Sequence, residues 1–237
     1  MPASTLHRDG PIYLLHGLLG TAYAHFGEQI RAWGADGRVV PVDLPGHGRC
    51  PLDAGPGYLD QAYDYVASIM ARFGPGRLVA ASYLGGPLAV RLAARRPELV
   101  ASLVLTGFVP GLARAAFGSQ LEGFHLLAAE QPQLAAEYDR LHGTRWKDTL
   151  TAFGDDCGRR PELVLPGAAA LAGLDPPVLI VNGALKSAER SAAERATEFG
   201  PRISGVVLAG AGHLASHDAP AAFTGAVDAF WAGGGAR

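Results

Sequence analysis

Several features are scarce in these 237 residues, and each scarcity closes off a class of explanation. Two cysteines occur, Cys50 and Cys157, far apart in the chain. They offer no disulfide framework and fit a reducing, cytoplasmic compartment, the expected location. No apolar stretch approaches the roughly 18 residues that span a bilayer. The opening MPASTLHRDGP has no apolar core of a secretion signal. Charged residues make up 18% of the chain and the formal net charge is −2. Neither nucleic acid nor an anionic membrane is therefore an expected partner. His125, His142, Asp155, Asp156 and Cys157 fall within one stretch, but no pair has helical or C-x-x-C ligand spacing, so no metal is expected. No glycine-rich phosphate loop follows a strand with the lysine or acidic partner it needs, so no nucleotide is expected. The reading is cofactor-free.

What is present is a rhythm. Short apolar runs recur at PIYLLHG (11–17), RVVPVDLPG (38–46), RLVAAS (77–82), ASLVLTG (101–107), PVLIVNG (177–183) and ISGVVLAG (203–210). Near-continuous apolarity, rather than alternation, marks strands buried on both faces. Helical patterns lie between them, at about 22–33, 58–73, 85–96, 187–199 and 219–232. Strands alternating with helices imply an α/β fold, a mostly parallel sheet with helices on both faces. At 237 residues the chain reads as a single domain.

One stretch breaks the rhythm. From Phe108 to about Leu174 no strand is expected, only short amphipathic segments. An insertion that long inside a compact α/β domain is usually functional, and a helical lid over the strand ends is the natural reading. Phe108, Leu112, Phe117, Phe124, Leu127 and Trp146 would then make the space beneath it apolar, or pack the lid onto the body.

Four segments, in order, resemble the α/β-hydrolase superfamily, in particular small lidded members such as the SHCHC synthases of menaquinone biosynthesis. YLLHGLLGT is similar to the family's H-G-x-x-G turn, and PVDLPGHGRC to its D-x-P-G-x-G-x-S loop with Cys50 in place of the serine. LVAASYLGG with RRPELVASLVL resembles the nucleophile elbow, its helix and the next strand. VVLAGAGHLASHDAPAAF resembles the segment bearing the catalytic histidine. The resemblance implies an α/β-hydrolase fold and a site built from serine, a carboxylate and histidine, in which His213 takes the histidine's place.

The other two members do not carry over. The residues two before and two after the elbow tip come close together and must be small. With Ser82 at the tip these are Ala80 and Leu84, and the leucine clashes; with Tyr83 they are Ala81 and Gly85, and both fit. The family's S-x-G-G-x-x-A-x-x-x-A-x-x-x-P also matches without a gap when counted from Tyr83. Tyr83 therefore takes the nucleophile position and Ser82 the place before it. Likewise PVLIVNGALK puts Lys186 where the family has its carboxylate, with Glu189 able to reach in from the next helical turn. Asp43 and His47, in DLPGHG, read as braces of a loop.

The resemblance also implies an oxyanion hole from the backbone N–H groups of Leu18 and Leu84, beside His16 and Gly17, with Phe108, Phe117, Phe124 and Trp146 around the substrate. A hole of this kind stabilises any enolate or alkoxide. A free phenol has a pKa of roughly 10, and a neighbouring ammonium and a helix N-terminus both favour phenolate. Tyr83, His213 and Lys186 thus suit acid–base chemistry on a small apolar carbonyl compound, as a lyase, isomerase or cyclase, with specialised biosynthesis as a conceivable setting. Two alternatives stand beside this reading. One is an esterase or thioesterase using Ser82 and His213; the other is a non-catalytic protein that binds a small molecule.

Overall fold

The computed structural model describes residues 10–233, apart from the side chains at 116, 120, 125 and 127. His125 and Leu127 therefore lie outside the described side chains. Each of the six apolar runs forms a strand: β1 (Ile12–Leu15), β2 (Val39–Val42), β3 (Gly76–Ala81), β4 (Val100–Thr106), β5 (Val178–Gly183) and β6 (Ile203–Leu208). They make one fully parallel sheet in the order β2-β1-β3-β4-β5-β6. β1 and β5 are buried at every residue and β3 and β4 at all but one, while the outermost strands β2 and β6 are partly exposed. This explains why the interior strands read as unbroken apolar runs.

Alternate side chains serve opposite faces of the sheet. Leu15, Leu78, Leu103 and Ile180 join one core, packed by α2 (Tyr58–Phe73) and α3 (Gly85–Arg95). Leu14, Val79, Val104 and Leu179 join the other, packed by α1 (Ala22–Trp33) and α10 (Pro220–Ala232) through Phe26, Phe223 and Val227. Each such large side chain stabilises the fold by about 1.5–3 kcal/mol relative to exposure. The helix expected at 187–199 is shorter, α8 (Ser187–Glu194), and is followed by a separate turn of 3-10 helix at Ala196–Phe199.

Between β4 and β5 the chain makes α4 (Arg114–Glu130), α5 (Pro132–His142), α6 (Trp146–Arg159) and α7 (Ala168–Ala172). Pro132 starts α5, where its missing N–H removes no bond, and Gly143 at φ 65° stops it. The insertion is tied to the body at several points. The Leu59 N–H donates to Asp156 Oδ2 at 2.9 Å, and Phe153 packs edge-on against Tyr58. His142, at the end of α5, reaches Gly48 and Leu19.

Strand order locates the site. The chain runs outward from β1 to β2 and returns to β3 on the other side of β1. The segments leaving β1 and β3 therefore flank a switch point of the kind where open α/β sheets bind ligands. The α9 helix (Ala215–Asp218) follows β6 and the turn carrying His213.

Candidate active site

Among the described residues, two that are not glycine adopt left-handed backbone conformations, Leu19 (φ 56°) and Tyr83 (φ 66°). Each represents strain on the order of 1–3 kcal/mol, of the kind that collects at functional sites. Tyr83 is the middle residue of the turn Ser82–Leu84 that carries β3 into α3. The apex of the elbow is thus a tyrosine. The packing shows why its flanks are small: a Cβ on Gly85 would come within 2.5 Å of the Leu15 carbonyl oxygen. The Gly85 N–H donates to the His16 carbonyl at 3.1 Å, which draws the elbow against the turn after β1. Gly17 permits the same approach, since a Cβ there would meet the Ser82 backbone carbonyl oxygen at 2.7 Å.

The Tyr83 ring stacks on His213, with centroids 5.1 Å apart and planes at 27°. A second ring, Phe117, lies 5.5 Å from it. His213 Nδ1 lies 2.7 Å from Glu189 Oε1. The carboxylate accepts, so Nδ1 carries the proton and Nε2 is left as an acceptor. Glu189 is buried in the first turn of α8, a favourable place for a carboxylate. Asn182, at the end of β5, braces that turn. Its Nδ2 donates to the Glu189 carbonyl at 2.8 Å and the Phe108 carbonyl at 2.9 Å, while its Oδ1 accepts from the Phe108 N–H.

This geometry corrects the assignment of the acid position. Counting along the chain puts Lys186 there, but the group that holds His213 is Glu189. Lys186 is exposed and precedes α8 as its N-cap residue. Glu189 reaches the site from the first turn of α8, and both it and Lys186 line the same cavity.

Two cavities meet at the elbow. The larger, about 340 Å³, is lined by Leu18, Ser82, Tyr83, Phe124, Tyr138 and His213 among others. The smaller, about 170 Å³, is lined by Ser82, Tyr83, Phe108, Leu112, Lys186 and Glu189 among others. Ser82 and Tyr83 belong to both walls. Ser82 is itself buried, and no hydrogen bond joins it to His213 among the described residues.

Of the expected pocket residues, Gly17 and Phe124 line the larger cavity and Phe108 the smaller. Three do not line either. Phe117 is buried against Tyr83. Trp146 turns inward within the insertion, where its indole N–H donates to Asp139 at 2.7 Å. His16 is fully buried, with Nδ1–H donating to the Gly17 carbonyl at 2.7 Å and Nε2 accepting from the Leu44 N–H at 2.9 Å. Asp43 and His47 act as braces. Asp43 accepts from the Ala22 and Arg49 N–H groups, and His47 Nε2 accepts from Leu19 N–H at 3.1 Å.

His25 carries no signal in the sequence. It lines the larger cavity, and its Nδ1 accepts the Gly17 N–H at 3.1 Å. Burial pushes four imidazoles down and keeps them neutral: His16 to about 4, His25 to about 3, His142 below its usual range and His47 well below it. Among the described residues, no three His, Cys, Asp or Glu side chains are grouped to hold a metal ion, and no helix is long and apolar enough to cross a membrane.

A parallel sheet carrying an elbow, a histidine after its last strand and a carboxylate after the strand before defines a class, and the sequence agrees. Residues 12–226 match the alpha/beta hydrolase family, and the chain belongs to it. The chain is similar to NosK from Streptomyces actuosus, whose crystal structure is 56% identical in sequence. That likeness covers 95% of this chain and 98% of NosK, with a TM-score of 0.92. MenH from S. aureus shares the fold at 16% identity, covering 99% of this chain and 97% of that one, with a TM-score of 0.72. A pimeloyl-[acyl-carrier protein] methyl ester esterase from Nitrosomonas europaea is 41% identical over 83 residues, 33% of this chain and 30% of that protein. A counterpart from Neisseria meningitidis serogroup C is 33% identical over 141 residues, 55% of this chain and 53% of that protein. The matches thus span between about a third and a half of these curated relatives.

Proposed function

We propose that this chain is a cofactor-independent enzyme of non-hydrolytic acid–base chemistry, acting as a lyase, isomerase or cyclase on a small, mainly apolar carbonyl compound beneath the insertion. The observation that carries the reading is the phenol of Tyr83 at the left-handed apex, stacked on an imidazole that Glu189 holds. A serine triad needs its hydroxyl at the apex and in line with Nε2. Here a phenol ring stands at the apex, stacked on the imidazole.

In this scheme His213 Nε2 takes a proton from the carbon next to the substrate carbonyl, and the C–H electron pair moves into the carbonyl to give an enolate. The N–H groups of Leu18 and Leu84 hold the enolate oxygen. Glu189 keeps the imidazole in the accepting tautomer and stabilises the imidazolium that forms. Tyr83 donates a proton to the leaving group or to the new position, and the imidazolium proton restores the phenol. Lys186, in the wall of the smaller cavity with Tyr83, favours the transient phenolate.

Deuterium wash-in at the methyl group of acetophenone in D₂O, followed by proton NMR, tests this. The native chain accelerates exchange by the ~10²–10⁴-fold typical of a positioned base and His213→Ala abolishes the acceleration, whereas Tyr83→Phe, which acts after the enolate has formed, retains it. Exchange no faster than in buffer overturns the reading.

A second reading, an esterase using Ser82, draws support from the His213–Glu189 pair and from the esterase names of the curated relatives. It requires p-nitrophenyl butyrate hydrolysis that Ser82→Ala removes.

A further inference from the structure

The larger cavity contains a polar group that the proposed reaction does not use. His25 projects from α1 into the wall formed by Gly17, Leu18, Leu19 and Gly20. Its ring is wedged on the turn, since a Cβ at Gly20 would lie only 2.2 Å from Nε2, and at Gly17 only 3.3 Å from Cε1. The Gly17 N–H occupies Nδ1. An amide can donate only to an unprotonated nitrogen, so the proton of the neutral ring sits on Nε2. Among the described residues Nε2 has no protein partner.

His25 is poorly suited to act as a base. Burial, with His16, His213 and His217 nearby, holds its pKa at about 3, so it stays uncharged near neutrality. A residue serving only to brace the turn would need Nδ1 and nothing more. The remainder of the wall is largely apolar, with Leu18, Leu19, Phe124, Leu141 and Leu214. Thr106 adds a hydroxyl that is buried without a partner among the described residues.

We propose that His25 Nε2–H forms a recognition subsite that selects substrates carrying a second, neutral oxygen acceptor, such as a ketone, amide or ether, away from the carbonyl that reacts. An uncharged donor on an apolar wall cannot offset the desolvation of a carboxylate, so a neutral oxygen is the fitting partner. This deepens the proposed function and rests on it for which carbonyl reacts; the contact itself is measured by binding alone.

The test compares para-diacetylbenzene with para-ethylacetophenone, an isosteric pair differing in one acceptor, by calorimetric titration near neutral pH. The native chain prefers the diacetyl compound by about 5–10-fold, the value of one net hydrogen bond and above the roughly twofold advantage of symmetry. His25→Asn keeps an acceptor for Gly17 N–H but no donor at the Nε2 position, and the preference falls to about twofold, the symmetry value above the lost bond. His25→Gln returns an N–H donor to that position and restores it. Three results overturn the subsite: a native preference at the symmetry value or no binding of either compound, a preference that survives in His25→Asn, or one lost equally in both variants. If His213→Ala leaves deuterium exchange untouched while the preference follows His25, the reaction scheme fails and the subsite stands.

Discussion

Glu189 Oε1 lies 2.7 Å from His213 Nδ1, three residues beyond the position where Lys186 stands. The imidazole therefore retains a carboxylate partner although the residue before α8 is a cation. The pair predicts a division of effect. Glu189→Gln, which can donate to Nδ1 and favour the wrong tautomer, lowers acetophenone exchange by about 10²–10⁴-fold. Lys186→Ala changes it far less. Equal losses in the two variants would assign the histidine's support to the lysine.

His142 links the insertion to the turn after β1. Its Nδ1 accepts the Gly48 N–H and its Nε2–H donates to the Leu19 carbonyl, each at 3.0 Å. His47 takes the Leu19 N–H, so both polar groups of that strained residue are held by imidazoles. His142→Ala leaves the buried Leu19 carbonyl unpartnered, at about 1–3 kcal/mol, and frees the part-buried Gly48 N–H at a smaller cost. The midpoint of thermal denaturation is expected to fall by about 2–4 °C per kcal/mol for a chain of this size. An unchanged midpoint would show that the insertion is held without this contact.

The fold was legible because burial on both faces writes strands as apolar runs, and the six runs occupy the six strands. The elbow was legible as well, because close backbone approach at Gly85 leaves room for only one register. Glu189 was legible only as an alternative: counting gives the acid position to Lys186, and the carboxylate one helical turn further on is the one that meets His213 in space. His25 was hidden because a lone histidine on an amphipathic helix carries no pattern, and only the Gly17 contact reveals its orientation. The insertion showed its length but not its facing. Tyr138 and Leu141 line the cavity, whereas Trp146 turns toward Asp139.

Acid should unfold this protein in a particular window. His16 and His25 have folded pKa values of about 4 and about 3, and His47 and His142 are also lowered, in each case chiefly by burial. The unfolded chain binds these protons near pH ~6.5 while the folded chain refuses them. Stability is thus fully present above roughly pH 6.5 and is lost progressively as the pH falls toward the folded values. Melting temperatures across the acid range should be level above that point and decline below it. A level profile down to about pH 4 would contradict neutral, buried imidazoles.

The most direct test of the central claim, that a phenol rather than an aliphatic alcohol occupies the apex beside His213, is intact and peptide mass spectrometry after fluorophosphonate treatment. The native chain and Tyr83→Ser are treated in parallel. The account predicts no adduct on the native chain and one adduct on the variant, at position 83, where a hydroxymethyl group meets the His213–Glu189 pair. An adduct on Ser82 of the native chain would contradict it.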